Sequence, residues 1–209
     1  MFLSGNERSR GAMFQPQAML APSARRAPIY AHAPACATKS YYISVDSRDR
    51  DRTLWPNSNR FEVRMDAQPG FAGAQIARGF KNVTRIELVN VIFPNTNSVL
   101  SEMYLFLSIP EIEGGMDTTN VGQRYFAKIV PGSVIGYYIQ SHSDPLERPA
   151  KEFLFRGARL DKLTLELRTS RGALFDFGGD TNPANGAPNP LLQTSFTFKI
   201  TVEENNRDD

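Results

Sequence analysis
YYISVDSRDRDRTLWPNSNRFEVRMD, residues 41–66, holds two alternating segments separated by a charged one. Tyr41, Ile43 and Val45 alternate with Tyr42, Ser44 and Asp46, and later Phe61, Val63 and Met65 alternate with Glu62, Arg64 and Asp66. A period of two is the pattern of a strand with one face on a core. Between them, Trp55-Pro56-Asn57-Ser58-Asn59 carries turn-forming residues. The stretch reads as strand, long polar loop, strand, and it marks where a folded domain begins.

Downstream the same period recurs. Residues 67–80 (AQPGFAGAQIARGF) hold three glycines and a proline, leaving room for at most one helical turn. Val83–Phe93 is an apolar-rich strand with Ile86, Leu88 and Ile92 on one face and Val89, Val91 and Phe93 on the other, which places it centrally. Met103–Ile109 is apolar on both faces. Strands are expected at Arg124–Val130 and Val134–Gln140, joined by Pro131-Gly132-Ser133, and a short one at Phe153–Phe155. Leu163, Leu165 and Leu167 alternate with Thr164, Glu166 and Arg168 as a half-buried strand, and a brief strand follows at Leu174–Phe177. Phe196, Phe198, Ile200 and Val202 form the last. Nine or ten antiparallel strands with almost no helix predict an all-β fold, an antiparallel β-sandwich of jelly-roll type, with an immunoglobulin-like sandwich as the other solution.

Composition fits one such domain plus an arm: 209 residues, 41% hydrophobic, 22% charged, net charge +2. A domain of this size buries roughly 70% of its unfolded surface and needs no staple. The single cysteine, Cys36, leaves no intrachain disulfide and fits a reducing compartment. No apolar run approaches the ~20 residues of a membrane span, and Ser4-Gly5-Asn6-Glu7 interrupts the start that a signal peptide would need. An intracellular, soluble product is expected.

Three segments follow: an extended Pro/Ala-rich basic arm (1–38), a sandwich domain (39–203) and an acidic polar tail (204–209). Pro16, Pro22, Pro28 and Pro34 exclude a long helix in the arm. Arg8, Arg10, Arg25, Arg26 and Lys39 against Glu7 give residues 1–40 a charge of +4, so the remainder of the +2 chain carries −2. Apolar residues are scattered through the arm, among them Phe2, Met13, Phe14, Leu20 and Tyr30. It is either a disordered tail or an arm that orders on a neighbouring subunit and inserts those residues into pockets there.

No constellation assembles catalysis. Asp46, Asp49 and Asp51 have the density of a calcium loop, but Arg48, Arg50 and Arg52 are interleaved with them and offer salt bridges instead. The polar loop 46–59 is more naturally a surface presented to a partner. His32 and His142 have no second histidine or cysteine at ligand spacing, and Cys36 sits in the arm. Nucleophile-elbow, phosphate-loop and zinc-helix motifs are missing from the sequence. Neither an enzyme, a metal nor a cofactor is expected. Trp55 either caps its own core or anchors an interface.

Several stretches resemble a family of minor capsid proteins of large nucleocytoplasmic DNA viruses. DSRDRDRTLWPNSNRFEV resembles the family's "IDSRDRD…PNPNDF" signature, and KNVTRIELVNVIFPN (81–95) its "YKNVxSIELxxxxIPN" segment. MYLFLSIPEI (103–112), RLDKLTLELRTSRGALFDFGGD (159–180) and SFTFKITV (195–202) are similar to later family segments in the same order. Trp55-Pro56 stands where the family often has Tyr-Pro, and Ser58 where it often has Pro. The likeness runs from about residue 40 to 203 and leaves out the arm.

The resemblance implies a structural virion protein, assembled in the host cytoplasm, that sits beneath or between capsomers and cements them. Its partners would be the major capsid protein and other minor capsid proteins, with self-association within the shell also open. In that setting Phe2, Met13, Phe14, Leu20 and Tyr30 are the expected apolar anchors, and Arg25 and Arg26 would pair with acidic capsomer surfaces. Arg48, Asp49, Arg50 and Trp55 of the loop 46–59 would make a second contact. Two rivals follow from the residues alone. One is a nucleic-acid tether acting through the arm, for which +4 is a weak field. The other is a carbohydrate-active jelly roll, for which exposed aromatics are scarce.

Overall fold
The computed structural model describes residues 37–66, 69–112, 115–116, 124–142, 148–154, 157–180, 182 and 186–204. Its strands, in chain order, begin with β1 (Ala37–Asp46), β2 (Arg60–Met65), β3 (Ala74–Ile76), β4 (Val83–Pro94) and β5 (Leu105–Ser108). Then come β6 (Gly115–Met116), β7 (Arg124–Tyr125), β8 (Ala127–Ile129), β9 (Ser133–Ile135) and β10 (Tyr138–His142). The last are β11 (Ala150–Glu152), β12 (Lys162–Arg168) and β13 (Ser195–Glu204). The helices among the described residues are three single 3-10 turns, at 47–49, 99–101 and 190–192.

Two sheets result. One is six-stranded, in the order β1-β13-β4-β10-β9, with β11 also on β4; the other is five-stranded, β3-β2-β12-β5-β8. Every pair is antiparallel except β2 with β3. The chain is all-β, and its sheets form an antiparallel sandwich with which a jelly-roll path is compatible. β10 and β11 lie end to end along the same side of β4, at 90–94 and 85–87 respectively.

Alternation explains why the sheets pack. Ile43 and Val45 from β1, Phe196, Phe198, Ile200 and Val202 from β13, and Ile139 from β10 point inward. Phe61, Val63 and Met65 from β2 and Leu163, Leu165 and Leu167 from β12 meet them, and all belong to one core cluster. Rings bridge the two layers, Phe61 with Phe196 at 6.2 Å and Phe126 with Phe198 at 6.3 Å between centroids. Each such side chain contributes about 1.5–3 kcal/mol through removal from water.

The expected strand β4 is central, between β13 and the β10/β11 pair, but its faces differ from strict alternation. Thr197 pairs with Asn90 and Phe198 with Leu88, so Val89 stands opposite no residue of β13; Thr201 pairs with Arg85 and Val202 with Val83, so neither does Thr84. These are β-bulges, and each shifts the phase by one residue. Ile86, Leu88, Val91 and Phe93 therefore face the core, while Val89 and Ile92 are half-buried outside it.

Other departures have similar local causes. β1 and β2 belong to different sheets, so the 46–59 loop crosses the end of the sandwich. β3 lies inside the glycine-rich 67–80 stretch, where three residues pair beside β2. The expected Val134–Gln140 strand is instead a hairpin: Ile135 pairs with Tyr138, and Gly136 has φ +60°, the place a II′ turn gives to glycine. Arg124–Val130 splits at Phe126, β7 pairing with β6 and β8 with β5. Phe153 and Leu154, expected to begin a strand, are in none: β11 ends just before them at Glu152, and Phe155 lies outside the described residues. Leu174 makes one bridge, to Arg168, rather than a strand. β12 is buried on both faces, because Thr164 and Glu166 are covered as well as the leucines. Strands span 37–204, slightly beyond the expected 39–203; residues 1–36 and 205–209 lie outside the described residues.

Candidate docking surface at the loop end
Register places several loops together. Asp46 pairs with Ser195, Ser195 with Ile92, and Pro94 with Tyr138, so the segments joining these positions gather at one end of the sandwich. There the loop 46–59 is laced to the segment 180–194. Ser47 N–H donates to the Thr194 carbonyl at 2.9 Å, and Thr194 N–H returns to Ser47 Oγ at 2.8 Å. Ser47 Oγ donates to Gln193 Oε1 at 2.9 Å, Thr194 Oγ1 to the Ser58 carbonyl at 3.0 Å, and Ser58 Oγ to the Leu192 carbonyl. Asn59 Nδ2 donates to the Phe175 carbonyl at 2.8 Å. All of Ser47, Ser58, Asn59, Gln193 and Thr194 are buried.

Arg50 is the centre of this network. Only 4% exposed, it donates from Nε to the Trp55 carbonyl at 2.8 Å and from Nη2 to the Pro56 carbonyl at 2.8 Å. Its Nη1 reaches both the Ser47 carbonyl and Gln193 Oε1 at 2.6 Å. A planar fork of five donors suits a loop whose carbonyls converge, and ammonium could not do the same. Burial pushes its pKa down, with Asp180 opposing and Arg52 assisting. Arg52 is buried too: Nη2 lies 3.3 Å from Asp180 Oδ1, and Nη1 donates to the Gly186 carbonyl at 3.1 Å. Asp180 Oδ2 also accepts from Asn189 N–H at 3.0 Å. One carboxylate thus organises both a cation and a turn.

The remaining carboxylates of the charged run have separate duties. Asp46 accepts from Arg48 N–H at 2.9 Å and pairs with its guanidinium at 2.8 Å, which raises the Arg48 pKa. Asp51 accepts from the hydroxyl and amide of Thr53, and these donors hold its pKa below the ordinary 3.8. Asp49 is exposed. Among the described residues no three His, Cys, Asp or Glu side chains converge as a metal-ligand set, and no helix is long and apolar enough to cross a membrane.

Onto this braced base the chain mounts apolar residues that face water. Leu54, Leu100, Met103, Ile135, Tyr137 and Leu191 are all exposed, Met103 by 80%. The neighbouring loops are tied in: Asn95 N–H donates to the Tyr137 carbonyl at 2.8 Å, Tyr138 Oη to the Pro190 carbonyl, and Asn97 Nδ2 to the Asp176 carbonyl at 2.8 Å. A groove of about 350 Å³ runs beside them, lined by Asp46, Arg48, Ile92, Tyr138, Pro190 and Gln193 among others. The arrangement presents an apolar rim beside a groove of mixed lining, on loops fixed from below, a form suited to an interface.

Of the partner residues expected from sequence, Arg48 and Asp49 are exposed at this end and Arg48 lines the groove. Arg50 is turned inward and braces the loop. Trp55 is half-buried on the core with the Arg60 guanidinium 4.8 Å over its ring. Phe2, Met13, Phe14, Leu20, Arg25, Arg26 and Tyr30 lie outside the described residues. Sequence reading named Arg52 among the arginines that offer salt bridges but not its partner Asp180, and it missed Gln193 and the apolar rim. The signal for the rim was present in Leu54, Leu100 and Met103, apolar residues set in or beside loops with no alternating partner.

A family described only as of unknown function (DUF5901) matches residues 35–100, from the start of β1 to the turn after β4. The match includes the loop 46–59 but not the 180–194 segment that braces it. No curated protein matches the chain.

Proposed function
We propose that this chain is a structural interaction protein, a minor capsid component that cements neighbouring capsid proteins in the icosahedral shell of a large DNA virus. The single observation that carries an interaction role is the loop end, where apolar side chains stand exposed on loops held by a buried hydrogen-bond network. Preorganised loops lose little conformational freedom on docking, so more of the contact energy appears as affinity. The capsid setting rests on the family resemblance. The major capsid protein and other minor capsid proteins are the partners it suggests, with the basic arm as a further contact.

The test is tryptic digestion of the chain alone and within purified particles, read by mass. Cleavage at Arg25 and Arg26 should be rapid in isolation and suppressed in particles, and Leu54→Ser with Met103→Ser should cut incorporation several-fold. Absence of the chain from particles, or incorporation unchanged by the double variant, would overturn the proposal.

A further inference from the structure
We infer that the outer face of the five-stranded sheet is a docking surface for an acidic protein surface. Its layout follows from register: Arg64 faces Lys162, Arg60 faces Glu166, Glu62 faces Thr164, and Arg168 faces Phe106, which faces Lys128. The carboxylates here are shared. Glu62 meets Arg64 Nε at 2.8 Å and Lys162 Nζ at 3.2 Å; Glu166 meets Arg60 Nε at 2.9 Å and Arg168 Nη2 at 2.5 Å. Glu62 and Glu166 therefore each serve two cations; the Glu166 cluster keeps one positive charge, whereas Glu111 brings the Glu62 cluster to neutral. Glu111, 3.8 Å from Lys162, is engaged mainly with the amide and hydroxyl of Thr164 at 2.9 and 2.8 Å.

The two signs also lie at different depths. Side chains of Arg60, Arg64 and Lys162 are 45%, 41% and 49% exposed, against 6% for Glu166 and 15% for Glu62. An approaching molecule meets these cations before Glu62 and Glu166, which lie beneath them. This face is cationic although the chain beyond residue 40 carries −2. Neighbouring strands stand about 4.8 Å apart, so the cations form a grid matched to carboxylates on a facing helix or sheet. An acidic protein fits better than nucleic acid because the aromatic rings are already covered. Arg64 sits 4.2 Å over Phe71 and Lys128 3.9 Å over Tyr104, which leaves those faces closed to base stacking.

This inference stands apart from the capsid setting, and its test uses the full chain with a fluorescent glutamate-rich peptide. Arg64→Gln with Lys162→Gln should weaken binding about tenfold, whereas Lys81→Gln with Lys151→Gln, equal in charge but elsewhere, should leave it nearly unchanged. Glu62→Gln removes the shared anion and should tighten binding several-fold. The N-terminal arm is the same in all variants, so it cannot produce these differences. Unchanged melting temperatures exclude misfolding as the cause. The inference fails if the wild type does not bind the peptide, if the two double variants behave alike, or if Glu62→Gln does not tighten binding. It fails equally if duplex DNA binds more tightly and loses affinity with the same pair.

Discussion
The sandwich interior and the polar network beneath the loop end are both buried, yet they are held by different physics. Inside, Phe93, Phe196, Phe198 and Leu165 pack by area, and several neighbours share each contact. At the loop end, Arg50, Ser47 and Gln193 each satisfy particular atoms, and a lost donor leaves an identifiable carbonyl bare. The interior therefore sets whether the chain folds, and the polar network sets what shape the loop end presents. A protein whose task is recognition gains from that division, because its surface is specified by directional bonds rather than by general cohesion.

The comparison can be broken at three levels. Phe198→Ala should cost the most, about 3–5 kcal/mol, and lower the denaturation midpoint of the whole domain. Arg50→Ala should cost less, about 2–3 kcal/mol, with faster hydrogen exchange concentrated at 47–59 and 190–194. Arg50→Lys should not restore protection, since its donors cannot span carbonyls from Ser47, Trp55 and Pro56 at once. Uniform loss of protection in Arg50→Ala would mean that the loop end and interior are one cooperative unit. The smallest effect belongs to the outer face. Burial works to raise the Glu62 pKa, but hydrogen bonds from Arg64 and Lys162 prevail and hold it below the ordinary 4.5. Its folded-state pKa being depressed, its contribution is complete above pH 4.5 and declines as pH falls below that value. Glu62→Gln should flatten that part of an acid titration followed by thermal melting, with less than about 1 kcal/mol lost at neutral pH.

How much of this was legible depends on where partners lie along the chain. β1, β2, β12 and β13 announce themselves because each carries its core residues at every second position. β3 does not, being three residues long and dependent on β2 for its pairing. The β9–β10 hairpin was hidden by apolar Val134, Ile135, Tyr137 and Tyr138, which read as one strand unless Gly136 is given its positive φ. The loop 46–59 was recognised as polar and as a surface of interest. Which arginine would turn inward was not readable, since the acceptor on Gln193 stands 143 residues away. Likewise Arg52 finds Asp180 only once β12 and β13 have brought that loop across. Local pattern reports faces; it does not report which distant carbonyl a guanidinium will meet.

The bulges in β4 carry a consequence for how this strand tolerates change in length. Losing one residue from a strand normally turns everything beyond it to the wrong side. Here Val89 and Thr84 are the supernumerary members, each standing opposite no residue of β13. Removing either would leave Val83, Ile86, Leu88, Val91 and Phe93 on the side they already occupy and would convert a bulge into regular ladder. β4 is thus a central strand with two places where the reading frame of inside and outside is already reset, so single-residue deletions there are absorbed rather than propagated.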